Sequence, residues 1–97
     1  MKDPQPEILA RGLIYSAGIE DPRLFNVVCR NVKAVKEGGS KALVKAAAAG
    51  HLDRIRMLLI KGVPNDTDEQ AIEKAQKNGH RPVLDFFQNL ARLTRQW

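Results

Sequence analysis

The stretch Ala42-Leu43-Val44-Lys45-Ala46-Ala47-Ala48-Ala49-Gly50-His51 returns in altered form as Ala71-Ile72-Glu73-Lys74-Ala75-Gln76-Lys77-Asn78-Gly79-His80. Each copy reads as a short, alanine-bearing helix ended by Gly-His and followed by a second, apolar helix. Gly50 and Gly79 stand 29 residues apart (79 − 50), within the roughly 20–50-residue spacing at which self-similarity signals stacked repeats. A lone helical hairpin cannot cover its apolar face, so units of this kind pile up on one another.

Outward from this pair, turn and cap residues divide the chain into six helices. Pro6 opens the first at its N1 position, with Ile8, Leu9, Leu13 and Ile14 as its stripe and Gly18 as its end. Asp21-Pro22 joins an N-cap acceptor to a residue preset to helical φ, and opens a second helix with Leu24, Val27, Val28 and Val32 on one face. Gly38-Gly39 is expected to stop it. Leu43, Ala46 and Ala47 mark a short third helix up to Gly50, and Leu52, Ile55, Leu58 and Leu59 a fourth up to Gly62. Thr67 and Gln70 have capping-box spacing for a fifth helix ending at Gly79. Pro82 opens a sixth with Val83, Leu84, Phe86, Phe87 and Leu90 on its apolar side. No strand alternation is present. The expected fold is all-α, a short solenoid of three stacked helix–turn–helix pairs in one domain: 1–38 as an N-terminal unit, 39–67 as a central repeat and 68–97 as a C-terminal one.

Ninety-seven residues, 43% of them hydrophobic, suffice for one small core. Alanine is abundant and aromatics scarce, which suits helices that approach closely. The single cysteine, Cys29, excludes an internal disulfide framework and fits a reducing compartment. No apolar run approaches the roughly 20 residues needed to cross a bilayer, and the start Met1 to Pro6 has no apolar signal segment. The expectation is a soluble, cytoplasmic chain with no membrane partner. The net charge of +5 comes from 16 basic and 11 acidic residues. It is spread along the chain, apart from a run of Arg30, Lys33, Lys36, Lys41 and Lys45 opposed only by Glu37.

These residues resemble ankyrin repeats. That family's pattern runs Gly-x-Thr-Pro-Leu-His-x-Ala-Ala-x-x-Gly-His, then a helix with a Val-Val-x-Leu-Leu core and a Gly-Ala ending. Gly39, Leu43, Ala46, Ala47, Gly50 and His51 match the first part in register, and Ile55, Leu58, Leu59 and Gly62 the second. Ile72, Ala75, Gly79, His80, Val83, Leu84, Phe86 and Phe87 match in the next unit. The resemblance covers 39–90 and extends thinly to Leu13, Ala17, Leu24, Val27 and Val28. The family's Thr-Pro-Leu-His is replaced by Lys41-Ala42-Leu43-Val44 and by Gln70-Ala71-Ile72-Glu73. The hydroxyl and imidazole that normally tie neighbouring repeats are therefore missing. The period of 29 is about four short of the usual 33, which curtails the projecting finger between Gly62 and Thr67.

The resemblance implies a non-catalytic module that binds another protein through its repeat surface. On that reading the partner-facing positions are Lys41, Lys45 and Ala49 in one unit and Asn65, Asp66, Gln70, Glu73, Lys74 and Lys77 in the next, with Trp97 as an end contact. The alternative reading is a small basic helical domain that binds nucleic acid or another polyanion through 30–45. Apolar residues on the last helix also leave room for self-association. No catalytic group, cofactor or metal is expected. His51 and His80 hold the same turn position, where imidazole caps or packs. Cys29 reads as a small buried hydrophobe, and no phosphate loop or Ca²⁺ loop is present. Leu58→Ala is expected to cost roughly 2–5 kcal/mol in urea unfolding if the fourth helix is core; a change near zero would remove that helix from the core.

Overall fold

The computed structural model of the chain describes residues 6–63 and 68–95, which hold six helices and no strand. These are α1 (Pro6–Gly18), α2 (Arg23–Val28), α3 (Val32–Ala49), α4 (Leu52–Ile60), α5 (Asp68–Lys77) and α6 (Arg81–Arg95). The chain is thus all-α, as its sequence pattern requires. Gly50, Gly62 and Gly79 adopt left-handed φ of 80°, 96° and 75°. That conformation is open to glycine at little cost and is where helices close on themselves. After α3, His51 N donates to Ala46 O and Gly50 N to Ala47 O; after α5, His80 N donates to Ala75 O and Gly79 N to Gln76 O. These are the two bonds of a Schellman closure, and Val63 N to Leu58 O with Gly62 N to Leu59 O repeats it with the same offsets after α4.

Three antiparallel hairpins result, α1–α2, α3–α4 and α5–α6, and α3 packs against both α1 and α5. The helices α1, α3 and α5, the inner ones, therefore form one row, and each of α2, α4 and α6, the outer ones, contacts the inner helix before it. Arg23, Leu52 and Arg81, the first residues of the outer helices, follow at equal intervals of 29 (52 − 23 and 81 − 52). The same interval relates Phe25, Arg54 and Val83, and also Cys29, Leu58 and Phe87, all of them buried. The core between the rows is built from Leu13, Phe25, Leu43, Ile55, Leu58 and Val83, interleaved with Ala17, Ala42, Ala46, Ala47, Ala71 and Ala75. Methyl side chains let the inner helices approach while still removing apolar surface from water.

The sequence expectation fails at Ile8, which belongs to the expected stripe of α1 but is exposed, and in the region around Gly38. Gly38-Gly39 does not stop a helix: it lies in the middle of α3, so the division between 38 and 39 runs through that helix. A Cβ on Gly38 would stand 2.9 Å from Ala10 O and 3.0 Å from Ala10 Cβ, and one on Gly39 would stand 2.6 Å from a Val63 methyl. The two glycines serve close approach, not a turn. The break instead falls at Cys29–Asn31, where Asn31 takes an extended backbone and its side chain accepts from Ala34 N at 2.9 Å. Asparagine is a favoured N-cap for this reason. Because of the break, Leu24, Val27 and Val32 are exposed and do not share the stripe assigned to them; Phe25, Val28 and Cys29 face the core. The capping box at Thr67 lies outside the described residues.

The Gly38 contact gives a test of opposite signs. Gly12, inside α1, would place a Cβ 4.0 Å from Val28 and has ordinary room. Gly12→Ala is expected to stabilise by about 0.5–1 kcal/mol through helix propensity, and Gly38→Ala to destabilise by about 1–3 kcal/mol through overpacking against the α1 backbone. Urea unfolding of both variants checks this, and equal signs would contradict the close α1–α3 approach.

Candidate functional site

At the edge of the fold where the inner helices end, α1 lacks the glycine closure that ends α3 and α5. Gly18 is its last residue but has no left-handed φ, and Ile19–Pro22 form a longer connection. The final carbonyls of a helix have no partner within it. Here they are met by Arg54, which α4 delivers from the next hairpin. Its Nη2 donates to Glu20 O at 2.8 Å, and its Nη1 faces Ser16 O at 3.1 Å, Ala17 O at 3.3 Å and Ile19 O. Only 3% of Arg54 is exposed. Its guanidinium stands 5.9 Å from the centre of the Phe25 ring, within the range of a cation–π attraction. Its Nε is buried without a hydrogen-bond partner. Partial negative charge on a helix C-terminus favours a cation there.

His51 Nδ1 lies 2.7 Å from Arg54 Nη1 and 3.0 Å from Ala17 O. One ring nitrogen serves one of these: protonated it donates to the carbonyl, unprotonated it accepts from the guanidinium. Arginine keeps its protons, and an N–H aimed at a second N–H at this distance is repulsive. The arrangement therefore favours the tautomer with hydrogen on Nε2, so that Nδ1 accepts. One hairpin further, His80 packs over Gly50, where an added Cβ would stand 2.6 Å from its Nδ1, and Asn78 donates to Ala48 O at 2.7 Å. Thus each of the later hairpins sends turn side chains onto the C-terminus of the preceding inner helix. In the loop beside Arg54, Asp21 accepts from the side chain of Arg23, at 2.7–3.1 Å, and from its backbone N–H. These bonds hold its carboxyl down at about 2, with Arg54 adding a small attraction.

The ten expected partner-facing residues divide into two sets. Asn65, Asp66 and Trp97 lie outside the described residues. Of the rest, Ala49 is half-buried, while Lys41, Lys45, Gln70, Glu73, Lys74 and Lys77 are exposed. The structure brings four of them together: Lys41 and Lys45 of α3 and Lys74 and Lys77 of α5 line one groove of about 370 Å³ over Val44 and Ala48. Lys45 and Lys74 stand 29 residues apart (74 − 45), at equivalent repeat positions. Among the described residues none of the four lysine side chains joins an ion pair or hydrogen bond; the ion pair found there joins Arg23 to Asp21. Gln70 and Glu73 are not drawn into the groove lining. A second cleft, of about 420 Å³, lies between Arg30, Lys36 and Lys61 with Cys29, Val35 and Val63 at its floor. Cys29 is buried, and its Sγ donates to Asn26 O at 3.4 Å.

Arg54 is the residue that sequence reasoning missed. Its signal was present: it occupies the repeat position of Phe25 and Val83, where an apolar residue is expected. Among the described residues no three His, Cys, Asp or Glu side chains group as metal ligands. No described helix is long and apolar enough to cross a membrane.

Arg54→Ala is expected to destabilise by about 3–5 kcal/mol, leaving the α1 carbonyls unpaired, and Arg54→Lys by about 1–3 kcal/mol, because one ammonium cannot span both sets of acceptors. Arg56, exposed and 5.7 Å from the Phe86 ring centre, is the control, with a loss below about 1 kcal/mol on removal. Chemical unfolding of the three variants decides, and equal effects at positions 54 and 56 would contradict the capping role.

No protein-family model, no curated protein and no solved structure matches the chain.

Proposed function

We propose that the chain is a non-catalytic module that binds a partner protein through the exposed face of α3 and α5, built as an ankyrin-like stack of three helical hairpins. One observation carries the reading. Long polar side chains from two successive hairpins stand on that face with no bond to the rest of the described residues, whereas His51, His80, Asn78 and Arg54 are taken up between hairpins. A partner meeting these free side chains breaks no internal contact, and rows of stacked hairpins offer extended faces of this kind. The resemblance over 39–90, the repeated Gly-His turn and the inner row α1–α3–α5 support the ankyrin-like arrangement. The step from arrangement to binding is an analogy of fold. A cytoplasmic location is part of the proposal, since an unpaired cysteine suits a reducing compartment.

A photo-reactive phenylalanine analogue placed at Gln70 or Glu73, and separately at Gln88 on α6, tests the face directly in cells. The expected outcome is one recurrent protein adduct from positions 70 and 73 that position 88 does not give. No adduct from positions 70 and 73, or the same adducts from all three positions, would contradict the reading.

A further inference from the structure

We infer that the groove between α3 and α5 docks an acidic peptide segment of the partner, an extended stretch with carboxylates at alternate residues. The inference rests on the protein-binding reading above and adds the chemistry of what is bound. Four lysines, Lys41, Lys45, Lys74 and Lys77, line one groove, and no acidic residue lines it. Glu37 and Glu73, each four residues from one of these lysines, form no ion pair. Like charges around one groove repel one another in the free protein, so an anion brought from outside is the stabilising counterpart.

Geometry and lining favour a peptide over a nucleic acid strand. Lys41 and Lys45 lie about 6 Å apart along α3, from a rise of 1.5 Å per residue. Same-side residues of an extended peptide recur at about 6.6 Å, so alternate carboxylates meet successive lysines. The floor is apolar, made of Val44 and Ala48. Such a floor suits the aliphatic part of glutamate side chains. Single-stranded nucleic acid instead relies on aromatic platforms for its bases, and none of the groove residues is aromatic.

The test uses the full chain and a fluorescent 12-residue peptide of alternating Glu and Ser. A Gln-Ser peptide and single-stranded DNA and RNA 12-mers serve as competitors, at low and moderate salt. The expected result is saturable binding of the Glu peptide, tighter than that of the neutral peptide or either oligonucleotide. The Lys41→Gln/Lys45→Gln/Lys74→Gln/Lys77→Gln variant should lower that affinity on the order of 10–100-fold, from four exposed pairs. A charge-matched control, Arg30→Gln/Lys33→Gln/Lys36→Gln/Arg92→Gln, should change it by less than about threefold on the same scale. In the wild-type chain, bound peptide should also protect Lys41, Lys45, Lys74 and Lys77 from acetylation, a readout that needs no variant. Equal loss in both variants, tighter binding of an oligonucleotide, or absence of peptide binding at low salt would each overturn the inference. Recurrent cross-links at Gln70 that survive the groove substitutions would end this inference and leave the protein-binding reading standing.

Discussion

A buried guanidinium that hydrogen-bonds backbone carbonyls and no carboxylate fixes how the first hairpin joins the second. Moving a cation out of water costs several kcal/mol even after relaxation, so Arg54 needs a concentrated set of acceptors. The end of α1 and the connection after it supply them, with Ser16 and Ala17 of the helix and Ile19 and Glu20 of the loop presenting their carbonyls to the guanidinium. The need is mutual: the carbonyls would be orphaned without the arginine, and the arginine uncompensated without the carbonyls. Where a left-handed glycine already closes an inner helix, as at Gly50, the next hairpin sends smaller groups, His80 and Asn78. Side chains of the following turn thus tie each of the later hairpins to the inner helix before it.

This edge works only because the inner helices sit close together. Alanines and the pair Gly38-Gly39 allow α3 to press against the backbone of α1 and against Val63. Glycine inside a helix costs about 1 kcal/mol relative to alanine, and here that loss is offset by contact with a neighbouring element. Close spacing also crowds the exposed face. It brings lysines of α3 and α5 to a shared groove, so the small interior residues and the basic surface follow from one packing choice.

Much of this was legible in the sequence, and the misses have definite causes. Gly50, Gly62 and Gly79 read correctly as helix ends because each follows an apolar-periodic segment and stands where a left-handed residue is needed. The helix starts near Leu52 and Pro82 and the face of α6 carrying Val83 and Phe87 read correctly as well. Gly38-Gly39 misled because glycine marks either a turn or a site of close approach, and only the neighbouring helix decides between them. Asn31 was hidden between valines that suggested one continuous stripe. Arg54 drew no reading of its own; comparison with Phe25 and Val83 at the 29-residue interval would have shown a charge on a core position. The register likewise pairs Lys45 with Lys74, but that Lys41 and Lys77 share their groove depends on how α3 and α5 pack.

The account holds that contacts at the turn edge make the three hairpins one cooperative unit. Native-state hydrogen exchange, followed amide by amide, measures this most directly. If it is right, amides of Val28 in α2 and Leu13 in α1 open with the same free energy as Ile55 and Leu58 in α4. If the first hairpin exchanges at a much lower free energy while the second and third stay protected, Arg54 does not couple them and the account fails.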